Sequence, residues 1–64
     1  MNRKIIARKQ TNDKHIEIVL GKLIFPGRRD QWATWEYNKE TDGYASGHYF
    51  DDREKAEADF AKRK

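Results

Sequence analysis

From residue 15 the apolar positions alternate. Ile16, Ile18 and Leu20 fall on one side of an extended chain, and His15, Glu17 and Val19 fall on the other, which predicts a half-buried strand. After Gly21 the apolar positions become Leu23 and Phe25. The parity has shifted by one, and a glycine at a parity shift predicts a β-bulge. Pro26-Gly27 then marks a turn in a loop that runs through Arg28, Arg29 and Asp30. Residues 31–38, Gln-Trp-Ala-Thr-Trp-Glu-Tyr-Asn, are rich in aromatic and β-branched types and predict a second strand. Its Ala33, Trp35, Tyr37 side is more apolar than its Trp32, Thr34, Glu36 side, so the former is expected to face the core. A polar hairpin loop follows from Asn38 to Gly43, with Asp42-Gly43 as its turn signal.

The third predicted strand, 44–50, places Ala45 and Gly47 on a small-residue face suited to lie beneath a helix. Tyr44, Ser46 and His48 take the other face. The helix is expected over 51–63. Asp51 is the predicted N-cap, with Glu54 three residues on as in a capping box. Asp52 and Glu54 suit the positive end of the helix dipole, and Lys62, Arg63 and Lys64 suit the negative end. Ala56 and Phe60, one turn apart, form its buried stripe. Residues 1–14 are a basic mobile arm or an edge strand over Lys4 to Lys9 that turns at Thr11-Asn12-Asp13. The fold class is therefore α+β. A three-stranded antiparallel meander, four-stranded if the N-terminal segment pairs, carries one C-terminal helix on one face. The expected core is Ile16, Ile18, Leu20, Leu23, Phe25, Trp35, Tyr37, Tyr49, Phe50, Ala56 and Phe60.

Length narrows this to a single small domain over 1–64, with little surface to bury. Charged residues make up 39% of the chain, too many for a large enclosed substrate pocket, so no enzyme activity is expected. The chain has no cysteine, which removes disulfides and thiolate metal sites and fits a reducing, cytoplasmic setting. No apolar run approaches a membrane span. The net charge of +3 is unevenly spread. Residues 1–29 hold eight Lys or Arg against Asp13 and Glu17, and residues 30–64 hold six against nine acidic residues. The basic half is the candidate surface for phosphate or for an acidic partner.

One helix cannot cover both faces of the sheet. On the expected pattern the uncovered face carries Trp32, Thr34, Tyr44, Ser46 and His48, with Arg28 and Arg29 beside it on the loop. Tryptophan and tyrosine interleaved with arginine suit a protein hot spot. They also suit nucleic acid, where arginine meets phosphate or guanine and aromatics stack. The alternative is that Trp32 folds against the N-terminal strand as a second small core. His15, His48, Asp51 and Asp52 are the nearest approach to a metal set, and no ligand spacing joins them, so neither metal nor cofactor is expected.

The run from Arg28 to Phe60 resembles the Apetala-type DNA-binding fold and the related arm-binding domains of phage and transposon integrases. Arginines precede a Trp-x-Ala-type strand, Trp32-Ala33-Thr34. A hairpin follows, then a strand ending near Gly-x-Phe, then a helix with Glu54, Ala56 and Phe60 in place. Gly47-His48-Tyr49-Phe50 is one residue longer than the family spacing, and Ser46 stands where the family has a larger aromatic. The chain is also similar to small uncharacterised proteins of Gram-positive bacteria and their phages that share a Trp-x-x-Trp strand and a Gly-His-Tyr-Phe strand end. The Apetala-type resemblance implies duplex DNA binding, with the sheet in the major groove. Arg28, Arg29, Trp32, Thr34, Glu36, Tyr44 and Ser46 would then be at the contact. The second expectation is a phage- or mobile-element-encoded inhibitor of a host enzyme or defence complex, of the anti-CRISPR kind. The third is a structural domain, as a homodimer through the uncovered face.

Overall fold

The computed structural model describes residues 2–63. Four strands, β1 (Asn2–Gln10), β2 (Ile16–Ile24), β3 (Gln31–Asn38) and β4 (Gly43–Phe50), form one antiparallel sheet in the order β1-β2-β3-β4. The helix α1 (Arg53–Lys62) packs on one side of it. The basic N-terminal segment is thus an edge strand rather than an arm. Arg3-Lys4 and Arg8-Lys9 put two cations toward each end of it, a composition that blunts a free edge.

Each connection has a local cause. In the β1–β2 turn the Thr11 hydroxyl donates to the Ile16 carbonyl at 2.8 Å and accepts from the Asp13 amide at 3.1 Å. After β2, the Arg28 amide donates to the Phe25 carbonyl around Pro26-Gly27, and Gly27 takes the positive φ of 74° that such a turn needs at its third residue. In the β3–β4 hairpin the Asn38 side chain accepts from the amides of Glu40 and Thr41. There Asp42, not Gly43, holds the left-handed conformation, at φ 55°.

Pairing fixes which residues share a face. Thr34 is opposite Leu20 and His48, Glu36 is opposite Ile18, and Trp32 is opposite Lys22 and Phe50. The Thr34 hydroxyl donates to Asp59 of α1 at 2.6 Å, so this set is the helix side. Ile18, Leu20, Thr34 and Ala56 are buried there. Val19, Leu23, Ala33 and Trp35 form a second buried cluster on the other side, with Ile5, Phe25 and Tyr37 packed against it. The single core expected beneath the helix is therefore two cores, one on each face. Trp35 and Tyr37 belong to the helix-free one, and Tyr49 on that side is mostly exposed.

The bulges also fall elsewhere. Through Gly21, β2 pairs with β3 without a break, Gly21 being opposite Ala33. The extra residue lies on β1, where Ile5 pairs with Gly21 and Ala7 with Leu20, leaving Ile6 unpaired. A second irregularity lies on β4, where Thr34 pairs with His48 but Glu36 pairs with Ala45. Ser46 and Gly47 both fall opposite Trp35, and Ser46 has a φ of 54°. The shift in alternation expected at Gly21 is explained instead by a strand buried on both sides.

The helix starts one residue later than its capping signal predicted. Asp52 is the N-cap, its Oδ1 accepting from the Glu54 amide at 2.8 Å. Asp51 instead accepts from the Gln31 side chain at 3.4 Å. At the other end, Lys9 of β1 donates to the Ala61 carbonyl at 3.3 Å, and its ammonium lies 5.0 Å from the Phe60 ring centre. A strand cation thus meets the negative end of the helix dipole, alongside Lys62. Lys64, expected to share that role, lies outside the described residues.

Candidate nucleic-acid interface

The helix-free face is organised around the Trp35 indole. Two strand positions beside it carry no side chain. A Cβ on Gly21 would come within 2.6 Å of the indole's six-membered ring, and one on Gly47 within 2.9 Å of its five-membered ring. The indole fills the room that these two glycines leave, and Trp35 is only 4% exposed on a face that no helix covers. Gly47 therefore serves the face opposite to the one its pairing with Ala45 suggested.

Three tyrosines surround this indole. Tyr44 and Tyr49 meet it edge-on, at ring-centre distances of 5.9 Å and 6.3 Å, and Tyr37 packs on Tyr44 at 5.0 Å. The Arg3 guanidinium lies 4.8 Å from the Trp35 ring centre and 4.6 Å from that of Tyr44. Tyr44 is 42% exposed and Tyr49 61%. Tyr37 donates to the Asp42 carboxylate. That bond, then burial and the Asp42 charge, raise the pKa of the phenol, which stays protonated at neutral pH. Arg8, opposite Val19, also lies on this face. Its neighbour Glu17 is met by Arg8 at 3.7 Å and Lys39 at 3.8 Å, so the face has little unbalanced negative charge.

The residues expected to form one binding face are divided between the two. Tyr44 is on the helix-free face. Thr34 is fully buried beneath the helix, and His48 faces the helix too, its Nδ1 3.0 Å from Asp59 Oδ2. Trp32 is half-buried on that same side, and its indole N–H is buried without a hydrogen-bond partner among the described residues. Ser46 sits at the β4 bulge, where its carbonyl accepts from Arg63. Arg28 and Arg29 are exposed on the β2–β3 loop. The physical reason for the division is the bulge. One extra residue on β4 inverts the alternation between Tyr44 and His48, so the two cannot share a face.

Arg3, Trp35, Tyr37 and Tyr49 replace the misplaced members. Two signals in the chain pointed to them. Ile18-Val19-Leu20 is a continuous apolar run, the mark of a strand buried on both sides, and Ser46-Gly47 inside an aromatic strand is a bulge signal.

On the helix side the polar centre is Asp59. Its Oδ2 accepts from Thr34 at 2.6 Å and from Arg63 Nε at 3.3 Å, and receives the His48 ring when the proton is on Nδ1. Burial alone would raise the pKa of this carboxyl. The hydrogen bonds from Thr34, His48 and Arg63 outweigh it and hold the value below the ordinary carboxylate range. With Thr34 fully buried, this cluster latches the helix to the sheet. Among the described residues no group of three His, Asp or Glu side chains is placed to hold a metal ion, and no helix is long and apolar enough to cross a membrane. Compared with protein-family models, curated protein sequences and solved structures, the chain shows no match.

Proposed function

We propose that this chain is a non-catalytic nucleic-acid-binding module whose contact surface is the helix-free sheet face. The observation that carries the reading is the pair Tyr44 and Tyr49. Both are exposed, both are braced edge-on against a buried tryptophan, and the Arg3 guanidinium lies over the Tyr44 ring. Rigid aromatic faces beside guanidinium groups suit unpaired bases, which stack on any π-face. The duplex-groove reading relied on Trp32, Thr34 and Ser46 projecting together with Tyr44. With Thr34 beneath the helix and Ser46 at a bulge, a single strand laid across the tyrosines fits better than a duplex. Arg3, Arg8, Arg28 and Arg29 are the cations for its phosphates.

Fluorescence anisotropy with labelled single-stranded and duplex oligonucleotides tests this. Binding to the single strand should weaken steeply with added salt. The Tyr44→Ala/Tyr49→Ala variant should lose affinity by at least about 30-fold, given about 1–3 kcal/mol for each of two stacked bases. Arg28→Ala/Arg29→Ala should flatten the salt dependence instead. If neither nucleic acid binds at low salt, the reading fails. The same tyrosine and arginine composition is that of a protein hot spot, so the second reading is a protein partner on this face, including a host-directed inhibitor. Saturable binding to one purified protein, lost in the tyrosine variant and insensitive to salt, would put that reading first.

A further inference from the structure

A cavity of about 390 Å³ lies on the helix side of the β1–β2 edge, lined by Lys4, Ile5, Ile6, Lys22, Ile24 and Arg53. Three elements build it. Lys4 and Lys22 are cross-strand partners, Ile24 pairs with Asn2 at the strand end, and Arg53 is the first residue of α1. Ile6, the unpaired residue of the β1 bulge, lines it on the same side as Lys4, while Ile5, opposite Gly21, borders it from the helix-free cluster. Ile24 is 36% exposed, an apolar side chain left wet beside three cations.

Among the described residues the lining contains no carboxylate. Lys22 reaches outward to Asp30 at 3.2 Å and Arg53 to Glu57 at 3.7 Å, the first between partly exposed and the second between half-exposed side chains. Pairs of that kind are worth little, so an incoming anion displaces them at small cost. Among the described residues Lys4 has no ion pair. A neutral apolar ligand would strip water from three cations without compensation. A bare inorganic anion would leave the isoleucines wet. The lining is matched by a ligand that has both parts.

We propose that this cavity binds a small amphiphilic anion, with one phosphate or carboxylate head between Lys4, Lys22 and Arg53 and a short apolar body on Ile6 and Ile24. The site lies on the face opposite the tyrosines, so it stands or falls independently of nucleic-acid binding.

The test is amide chemical-shift titration of the full ¹⁵N-labelled chain with hexyl phosphate. Shifts should saturate and concentrate at Lys4, Ile6, Lys22, Ile24 and Arg53, leaving Tyr44 and Tyr49 still. Inorganic phosphate should bind at least about tenfold more weakly, a difference of about 1.4 kcal/mol for the apolar body. Hexyltrimethylammonium should produce no saturable shift. Lys22→Glu and, separately, Arg53→Glu should each weaken hexyl phosphate by about tenfold while keeping the dispersed spectrum of the folded chain. Two different elements are probed, so a folding failure in one variant leaves the other decisive. Equal binding of the cationic amphiphile, equal binding of inorganic phosphate, or shifts scattered over the surface would each overturn the proposal.

Discussion

On the helix-covered face, burial needs a second element held in place by polar groups. Asp59 gathers Thr34, His48 and Arg63, while Lys9 and Asp52 fix the helix ends. On the helix-free face there is no second element. The sheet closes on itself around one indole, and the contacts that decide the geometry are those of Trp35 with Gly21 and Gly47. The first face is therefore sensitive to charge and pH, and the second to volume. A domain this small has too little surface for one generous core, and the fold instead uses both sides of its two central strands. Ile18, Val19 and Leu20 are consecutive and all buried, which only a strand with two dry faces allows.

The largest effects should come from the volume-controlled face. Trp35→Ala should cost about 3–5 kcal/mol, of the order of the whole stability of such a domain, and the chain should be unfolded by far-UV circular dichroism. Gly21→Ala should cost about 1–3 kcal/mol, because its new Cβ collides with a ring that is packed on the far side as well. In a Trp35→Phe background the smaller ring removes that collision, so urea melts should show most of the Gly21→Ala penalty gone. A neutral Gly21→Ala, or a penalty unchanged by Trp35→Phe, would mean that the glycine–indole fit does not organise this face.

The charge-controlled face should respond less, and to a different variable. Asp59→Ala leaves the Thr34 hydroxyl buried without a partner and should cost about 2–3 kcal/mol in urea melts at neutral pH. The folded-state pKa of Asp59 is depressed, so its stabilisation is complete above the unfolded value and is lost as pH falls through the folded one. The native chain should therefore lose stability progressively below about pH 4. Asp59→Asn, which has no such proton to take up, should show a shallower acid slope. Equal acid slopes in the two chains would remove Asp59 from the latch.

Much of this contrast could be read in the sequence, and its failures share one origin. The strands, the Pro26-Gly27 turn, the Asn38–Gly43 hairpin and a C-terminal helix with Ala56 buried all follow from local patterns. Face assignment does not, because it depends on register, and one unpaired residue inverts it. Ser46 and Gly47 together opposite Trp35 send Tyr44 and His48 to different sides, although their spacing is even. The choice between Ala33-Trp35-Tyr37 and Trp32-Thr34-Glu36 as the helix side went to the more apolar set. The helix took the other, where its inward Asp59 accepts from the Thr34 hydroxyl. The expected site failed with the face assignment, since Thr34 and His48 are latch residues. Tyr44, Arg28 and Arg29 stayed outside the latch.

The smallest effect is also the most discriminating. Asp52→Ala removes the helix N-cap and should cost about 1 kcal/mol, or about 4–8 °C in melting temperature for a domain of this size. The substitution touches only the helix side, yet the loss should appear on both. Val19 and Leu20 are neighbours on one strand and are buried in opposite faces, so undocking the helix wets a strand on which the other core also depends. The two indole N–H resonances report the faces separately, Trp32 on the helix side and Trp35 on the other. In a urea titration followed by NMR, both should disappear at the same midpoint in the native chain. Both midpoints should move down together in Asp52→Ala, as all-or-none unfolding requires. If Trp32 changes first while Trp35 holds, the helix undocks as its own unit and the glycine-lined face is the more autonomous of the two.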